Sequence, residues 1–244
     1  RQRQMCIRDR ISGTTYGIYN FKGTLNLNNG EISSDGTGIY SSNRTINSAD
    51  ININGGTING NIGIQNDCNN LNINGGTING KNIGVLSNGD VNKGTFNMTG
   101  GIITSSLSKG TGLSLDNYTA NITGGTIKVS GTNSNAIVLN RNLNLSDASI
   151  SSTSGNGIYL NTSIGNLNMY SGSIEADTGI YAYNGTANIS GGTIKGNNFG
   201  IKNGDKYIST INLGVKDQIV DKTSPKIISN MYGICLLYTS DAAD

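Results

Sequence analysis

Residues 51–60 read Ile-Asn-Ile-Asn-Gly-Gly-Thr-Ile-Asn-Gly, and residues 71–80 repeat them with one change, Leu71 in place of Ile51. A copy twenty residues on, built from an alternating apolar–Asn–apolar triplet and a Gly-Gly corner, leaves few options. No helical spacing is present, so the chain must be an array in which one short β unit stacks on the next.

The unit recurs from Leu25, Ile51, Leu71, Phe96, Ala120, Leu143, Leu167, Ala187 and Ile211, at spacings of 20 to 26 residues. Its first and third places are apolar in every copy. Its second place is always Asn: Asn26, Asn52, Asn72, Asn97, Asn121, Asn144, Asn168, Asn188 and Asn212. Alternation with period two describes a strand with one buried face, so the Asn column is expected to point outward. The eighth place is Ile from Ile32 to Ile194. A second strand follows, marked by Gly-Ile-Tyr at Gly38, Gly157 and Gly179 and by close variants elsewhere.

Each unit offers about four inward side chains, worth roughly 1.5–3 kcal/mol each. That does not offset the ordering of one coil standing alone, so coils must share a continuous core. The expectation is all-β: a β-solenoid of 20–26-residue coils. Nine such coils at about 4.8 Å each would give a rod of roughly 40 Å. Loop variation falls between the eighth-place Ile and the second strand, as at Thr104–Thr111 and Val129–Asn135, and should project from one side of the rod.

The ends stand apart. Residues 1–10 and 235–244 resemble translations of opposite strands of one sequencing adapter, so fold reasoning is confined to residues 11–234. Within that span, repeats run over 11–214, an irregular interruption with Pro225 occupies 215–227, and 228–234 takes up the repeat again.

Composition narrows the chemistry. Charged residues are 13% of the chain and its net charge is +2, which gives no electrostatic footprint for nucleic acid. No apolar run is long enough to span a membrane. His is absent, and no Ser or Cys constellation replaces it, so nucleophilic catalysis has no candidate. Cys68, alone within the repeats, has no bridge partner and fits no metal spacing. The acidic residues, among them Asp35, Asp67, Asp116, Asp147, Asp177, Glu31 and Glu175, fall at scattered offsets within their units. They read as solvated turn acids, not as the several carboxylates that calcium requires. No cofactor is expected.

Two outward columns can meet a partner. The seventh place is hydroxylated at Thr57, Thr77, Thr126, Ser149, Ser173 and Thr193 but is interrupted by Glu31 and Ile102, which is simplest as β propensity on an exposed strand. The residue after Gly-Ile is Tyr at Tyr19, Tyr40, Tyr159 and Tyr181. Tyr159 and Tyr181 belong to adjacent coils, with Lys202 next. They form either a platform for a sugar or a cross-strand aromatic pair that stabilises the sheet.

The repeat, with its period, its Gly-Gly-Thr-Ile corner and its Tyr-Gly-Ile-Tyr strand, resembles the right-handed parallel β-helix family, the pectin-lyase-like superfold. It is similar to adhesin-like surface proteins of Gram-positive bacteria. The resemblance implies a right-handed β-helix that is extracellular or on the cell surface, acting as a non-catalytic stalk or adhesin segment toward a glycan or a host or neighbour cell. It leaves two alternatives: a carbohydrate-binding β-helix for acidic polysaccharides, using Tyr159, Tyr181 and Lys202, or a fragment of a polysaccharide lyase or hydrolase. The superfold hosts all of these.

Overall fold

The computed structural model describes residues 10–42, 50–67, 70–88, 94–116, 119–204, 206–215 and 223–236. Cys68, residues 1–9 and 237–244, and residues 216–222 of the interruption lie outside the described residues. Those described form a parallel β-solenoid of about 8 turns, with no helix among them.

The nine triplets make one nine-stranded parallel sheet, from Leu25–Leu27 at one edge to Ser209–Leu213 at the other. Like pairs with like: Asn52 lies beside Asn26 and Asn72, and Ile53 beside Leu27 and Ile73. The remaining strands form a 16-stranded sheet that folds round a corner and supplies two further faces. One face carries the eighth-place isoleucines, all buried; the other carries the Gly-Ile strands.

An outward Asn is a poor strand residue by propensity. Its presence in every coil is explained by the side chains themselves. Each amide Nδ2 donates to the Oδ1 of the Asn one coil earlier, from Asn52 on Asn26 to Asn212 on Asn188, at 2.7 to 3.1 Å. Identical amides at the strand repeat satisfy one another in this way. A shorter ladder, Asn28–Asn54–Asn74, runs beside it and ends on the Thr99 hydroxyl. Asn144→Ala removes two bonds and strands the amides of Asn121 and Asn168. It is expected to cost about 1–3 kcal/mol in urea unfolding. Asn26→Ala, at the exposed ladder end with one bond to lose, should cost less; equal losses would mean that the ladder is decoration.

Two kinds of glycine shape the coil. At the sixth place Gly30, Gly56, Gly76, Gly101, Gly125, Gly172 and Gly192 all have positive φ, which turns the chain out of the triplet. In the coil starting at Leu143 that place is Ala148, and the left-handed conformation passes to its neighbour Asp147, φ 51°. An Asp tolerates it, and here its carboxylate accepts from the Ser171 hydroxyl at 2.8 Å.

The second kind opens the Gly-Ile strand. A Cβ on Gly179 would lie 2.4 Å from Ile194 Cγ2 and 2.5 Å from the Gly200 carbonyl oxygen. Gly38, Gly63, Gly84, Gly112, Gly157 and Gly200 stand in the same relation to the isoleucine of the following coil. The array accepts a methyl here at Ala136.

The corner between the two faces is built in two ways. At Gly60, Gly80, Ala176 and Gly196 the strand runs straight through, giving the long strands Thr57–Asp67, Thr77–Ser87, Ser173–Ala182 and Thr193–Asn203. A Cβ on Gly80 or Gly196 would sit 1.8 Å from a carbonyl oxygen, so the bend is tight. Where Ser105 or Ser152 takes that place the strand stops, and the buried hydroxyl donates to the carbonyl of Asn82 or Ser134. Loops leave at 106–110, after Ser105, and at 130–133, after Val129, and are held together by Lys109 N–H to the Thr132 carbonyl at 2.8 Å. Insertions are not confined to one side, as the sequence suggests: residues 161–165 and 206–208 leave from the opposite corner, after the Gly-Ile strand. Sheet register constrains strand residues only, so either corner can lengthen.

Past the interruption, Lys226–Ser229 and Tyr232–Cys235 pair with Thr193–Asn203. Ile227, not Ile228, faces Ile194, so the renewed repeat starts one residue earlier than the sequence echo indicates. Arg10 and Cys235, assigned to the ends on sequence, lie in the first and last strands.

Candidate functional site

The Gly-Ile strands place their next residue outward, and strand pairing puts those residues in one file along the rod. From Tyr19 the file runs through Tyr40, Gln65, Leu86, Ser114, Val138, Tyr159 and Tyr181 to Lys202. Tyr159, Tyr181 and Lys202 are thus brought together on Gly155–Leu160, Ser173–Ala182 and Thr193–Asn203.

Their arrangement differs from an open platform. The Tyr159 and Tyr181 rings are stacked on each other at 5.4 Å with 26° between planes, and Lys202 Nζ lies 5.2 Å from the Tyr181 centroid. Ring faces therefore meet along the rod axis, while edges and hydroxyl tips face outward. Tyr183 tucks against both rings at 6.0 Å, which leaves Tyr159 and Tyr181 half-buried. Beside them runs a groove of about 320 Å³ whose other wall includes Asn135, Asn156, Asp177 and Phe199. The Lys202 ammonium sits between the Tyr181 and Phe199 rings, 5.7 Å from the latter, a cation–π arrangement. Asp177 accepts from Asn198 Nδ2 at 2.8 Å.

Sequence reading missed Tyr183 and Phe199 and took Asp177, which lines the groove, for a solvated turn acid. Phe199 had a signal: it precedes Gly200 as Asn156 precedes Gly157, and the two places pair through Thr178. Tyr183 had none, because it lies beyond the strand where coil length varies.

Burial, with the Tyr183 phenol beside it, pushes the Tyr159 hydroxyl up from its ordinary 10.0. At Tyr40 a Ser42 hydrogen bond pulls down, but burial and the Asp67 carboxylate outweigh it and the net direction is also up. Both phenols are neutral donors through the neutral range. A folded-state pKa above the unfolded value contributes stability that is present below about pH 10 and lost as pH rises through the folded value. The urea midpoint should be flat near neutrality and fall above about pH 10, less steeply in Tyr159→Phe. A midpoint that rises there would reverse the sign.

Carboxylates along the rod are engaged singly. Glu31 pairs with Arg10 and Glu175 with Lys195, while Asp67 accepts from the Tyr40 hydroxyl at 3.1 Å. Among the described residues no three of His, Cys, Asp and Glu gather into a group able to hold a metal. No described helix is long and apolar enough to cross a membrane. No protein-family model, curated protein or solved structure matches the chain.

Proposed function

We propose that this chain is a non-catalytic, extracellular β-helix segment of a bacterial surface protein, a stalk that presents its faces to a glycan or to a neighbouring cell. The observation that carries the reading is the uninterrupted Asn ladder along all nine triplets. Side chains on that face are committed to holding coil to coil. The carboxylates support it too, since Glu175 and Asp177 on one strand are spent separately on the next coil, one in an ion pair with Lys195 and the other on the Asn198 amide.

A second reading is favoured by the groove. Phenol hydroxyls, carboxamides and one ammonium lining 320 Å³ suit a carbohydrate, with Lys202 placed to meet the carboxylate of an acidic polysaccharide. The test is retention on insoluble acidic polysaccharide, with product analysis of the supernatant. Retention without depolymerisation is expected, together with its loss in the Tyr159→Ala, Tyr181→Ala double variant. Soluble oligosaccharide product would overturn the non-catalytic reading, and unchanged retention of the double variant would remove the groove from it.

A further inference from the structure

The aromatic side chains are unevenly spent. The chain has 11 Tyr, 3 Phe and no Trp, and ten of these rings fall into two groups on the Gly-Ile face. One group surrounds the groove just described. The other is at the far end of the same file: Tyr40 stacks on Tyr19 at 5.4 Å and on Tyr16 at 5.1 Å, and Phe21 leans on Tyr19 at 6.3 Å. Among the described residues only one aromatic side chain, Phe96, is fully buried in the core, so the interior does not account for this concentration. Tyr16, Tyr19 and Phe21 are 40%, 53% and 60% exposed.

We infer that the two groups are two contact points for one linear polysaccharide lying along the rod axis. The inference rests on the glycan reading of the groove and extends it to a second site at Tyr16, Tyr19 and Tyr40. From Tyr40 to Tyr159 is five rungs, about 24 Å, and the residues between them in the file are Gln65, Leu86, Ser114 and Val138. None is charged, and none is large enough to close the path with a ring.

The chemistry selects the occupant. Stacked rings also serve single-stranded nucleic acid, but such sites track the phosphates with a positively charged groove. Here Lys202 is the one cation among the nine residues of the file from Tyr19 to Lys202, and Asp67 and Asp177 flank the two groups. A peptide would be taken up by adding a strand to a sheet edge, whereas this file lies on a sheet face. A polyhydroxyl chain fits both rims through phenol tips, ring edges and amides, and Lys202 serves a uronate carboxylate at one of them.

Two linked contacts convert the second into an intramolecular event, and avidity rises on the order of a hundredfold or more. The experiment is an array of linear glycans of graded length, neutral and uronate-containing, probed with the full chain. Glycans long enough to reach both groups should bind about a hundredfold more tightly than fragments that reach one. The gain should vanish in the Tyr19→Ala, Tyr40→Ala variant and in the Tyr159→Ala, Tyr181→Ala variant, while short fragments still bind whichever group remains. Val138→Glu leaves both groups intact and puts a carboxylate on the path, so it should remove the gain even if the tyrosine variants fold poorly. Equal affinity for short and long members would overturn the two-point inference and leave the groove reading standing. No binding to any glycan, or binding of an oligothymidylate probe instead, would overturn both.

Discussion

Gly179→Val is expected to leave the chain without a cooperative unfolding transition near that of the parent. The first atom of any side chain at this position meets Ile194 Cγ2 at 2.4 Å and the Gly200 carbonyl oxygen at 2.5 Å. The carbonyl belongs to a strand paired on both sides, so it can shift only a little, enough for a bare methyl but not for the two further methyls of valine. Overpacking of a well-filled core costs about 1–3 kcal/mol and occasionally more, and contact with fixed backbone puts this variant at or beyond the upper end. Gly179→Ala should cost much less, because Ala136 shows that one rung can open for a methyl. Urea unfolding followed by circular dichroism separates the three proteins. A valine variant as stable as the parent would mean that the strand does not lie against the next coil's isoleucine.

Phe96→Ala is expected to cost about 3–5 kcal/mol, the usual range for emptying a buried aromatic site. Phe96 is fully buried and stacks between Leu71 and Ala120 in the file of first-place residues. The large ring and the small methyl are neighbours one rung apart, so their volumes compensate. Ala120→Phe alone should overpack, at about 1–3 kcal/mol. Combined with Phe96→Ala it moves the ring by one rung and should recover part of both losses, a coupling that only contacting residues show. Strict additivity would mean that the two side chains do not share one space.

How far these effects could be foreseen follows from what sets them. Period-two alternation at Ile51–Ile53 and Leu71–Ile73 fixes which side chains go in, and the nine triplets pair as their spacing requires. Pairing of equal places also brings Tyr159, Tyr181 and Lys202 side by side. What period cannot convey is the angle at which side chains stand. The tyrosines lean along the file and stack on each other, which follows from the spacing of neighbouring strands and from Tyr183, itself placed by a corner of variable length. Outward Asn was legible as a column, but not as a hydrogen-bonded one, since donor and acceptor meet only once coils are stacked. Corners were misjudged for a related reason. Gly80 and Ser105 look like neutral variants in a list, yet one lets the strand continue and the other ends it with a side-chain bond to a carbonyl.

The coil-to-coil ladder has a mechanical consequence. Stability in such an array is held between neighbours, so tension on the chain meets no single breaking point and peels one turn at a time. Each turn of 20 to 26 residues lets out roughly 70–90 Å of extended chain, while the rod itself gives up only about 4.8 Å of its length. A tether made this way lengthens by many times its resting span before it parts. In the stalk role proposed above, a cell held by it would be slowed by a yielding line instead of being snapped off a rigid one.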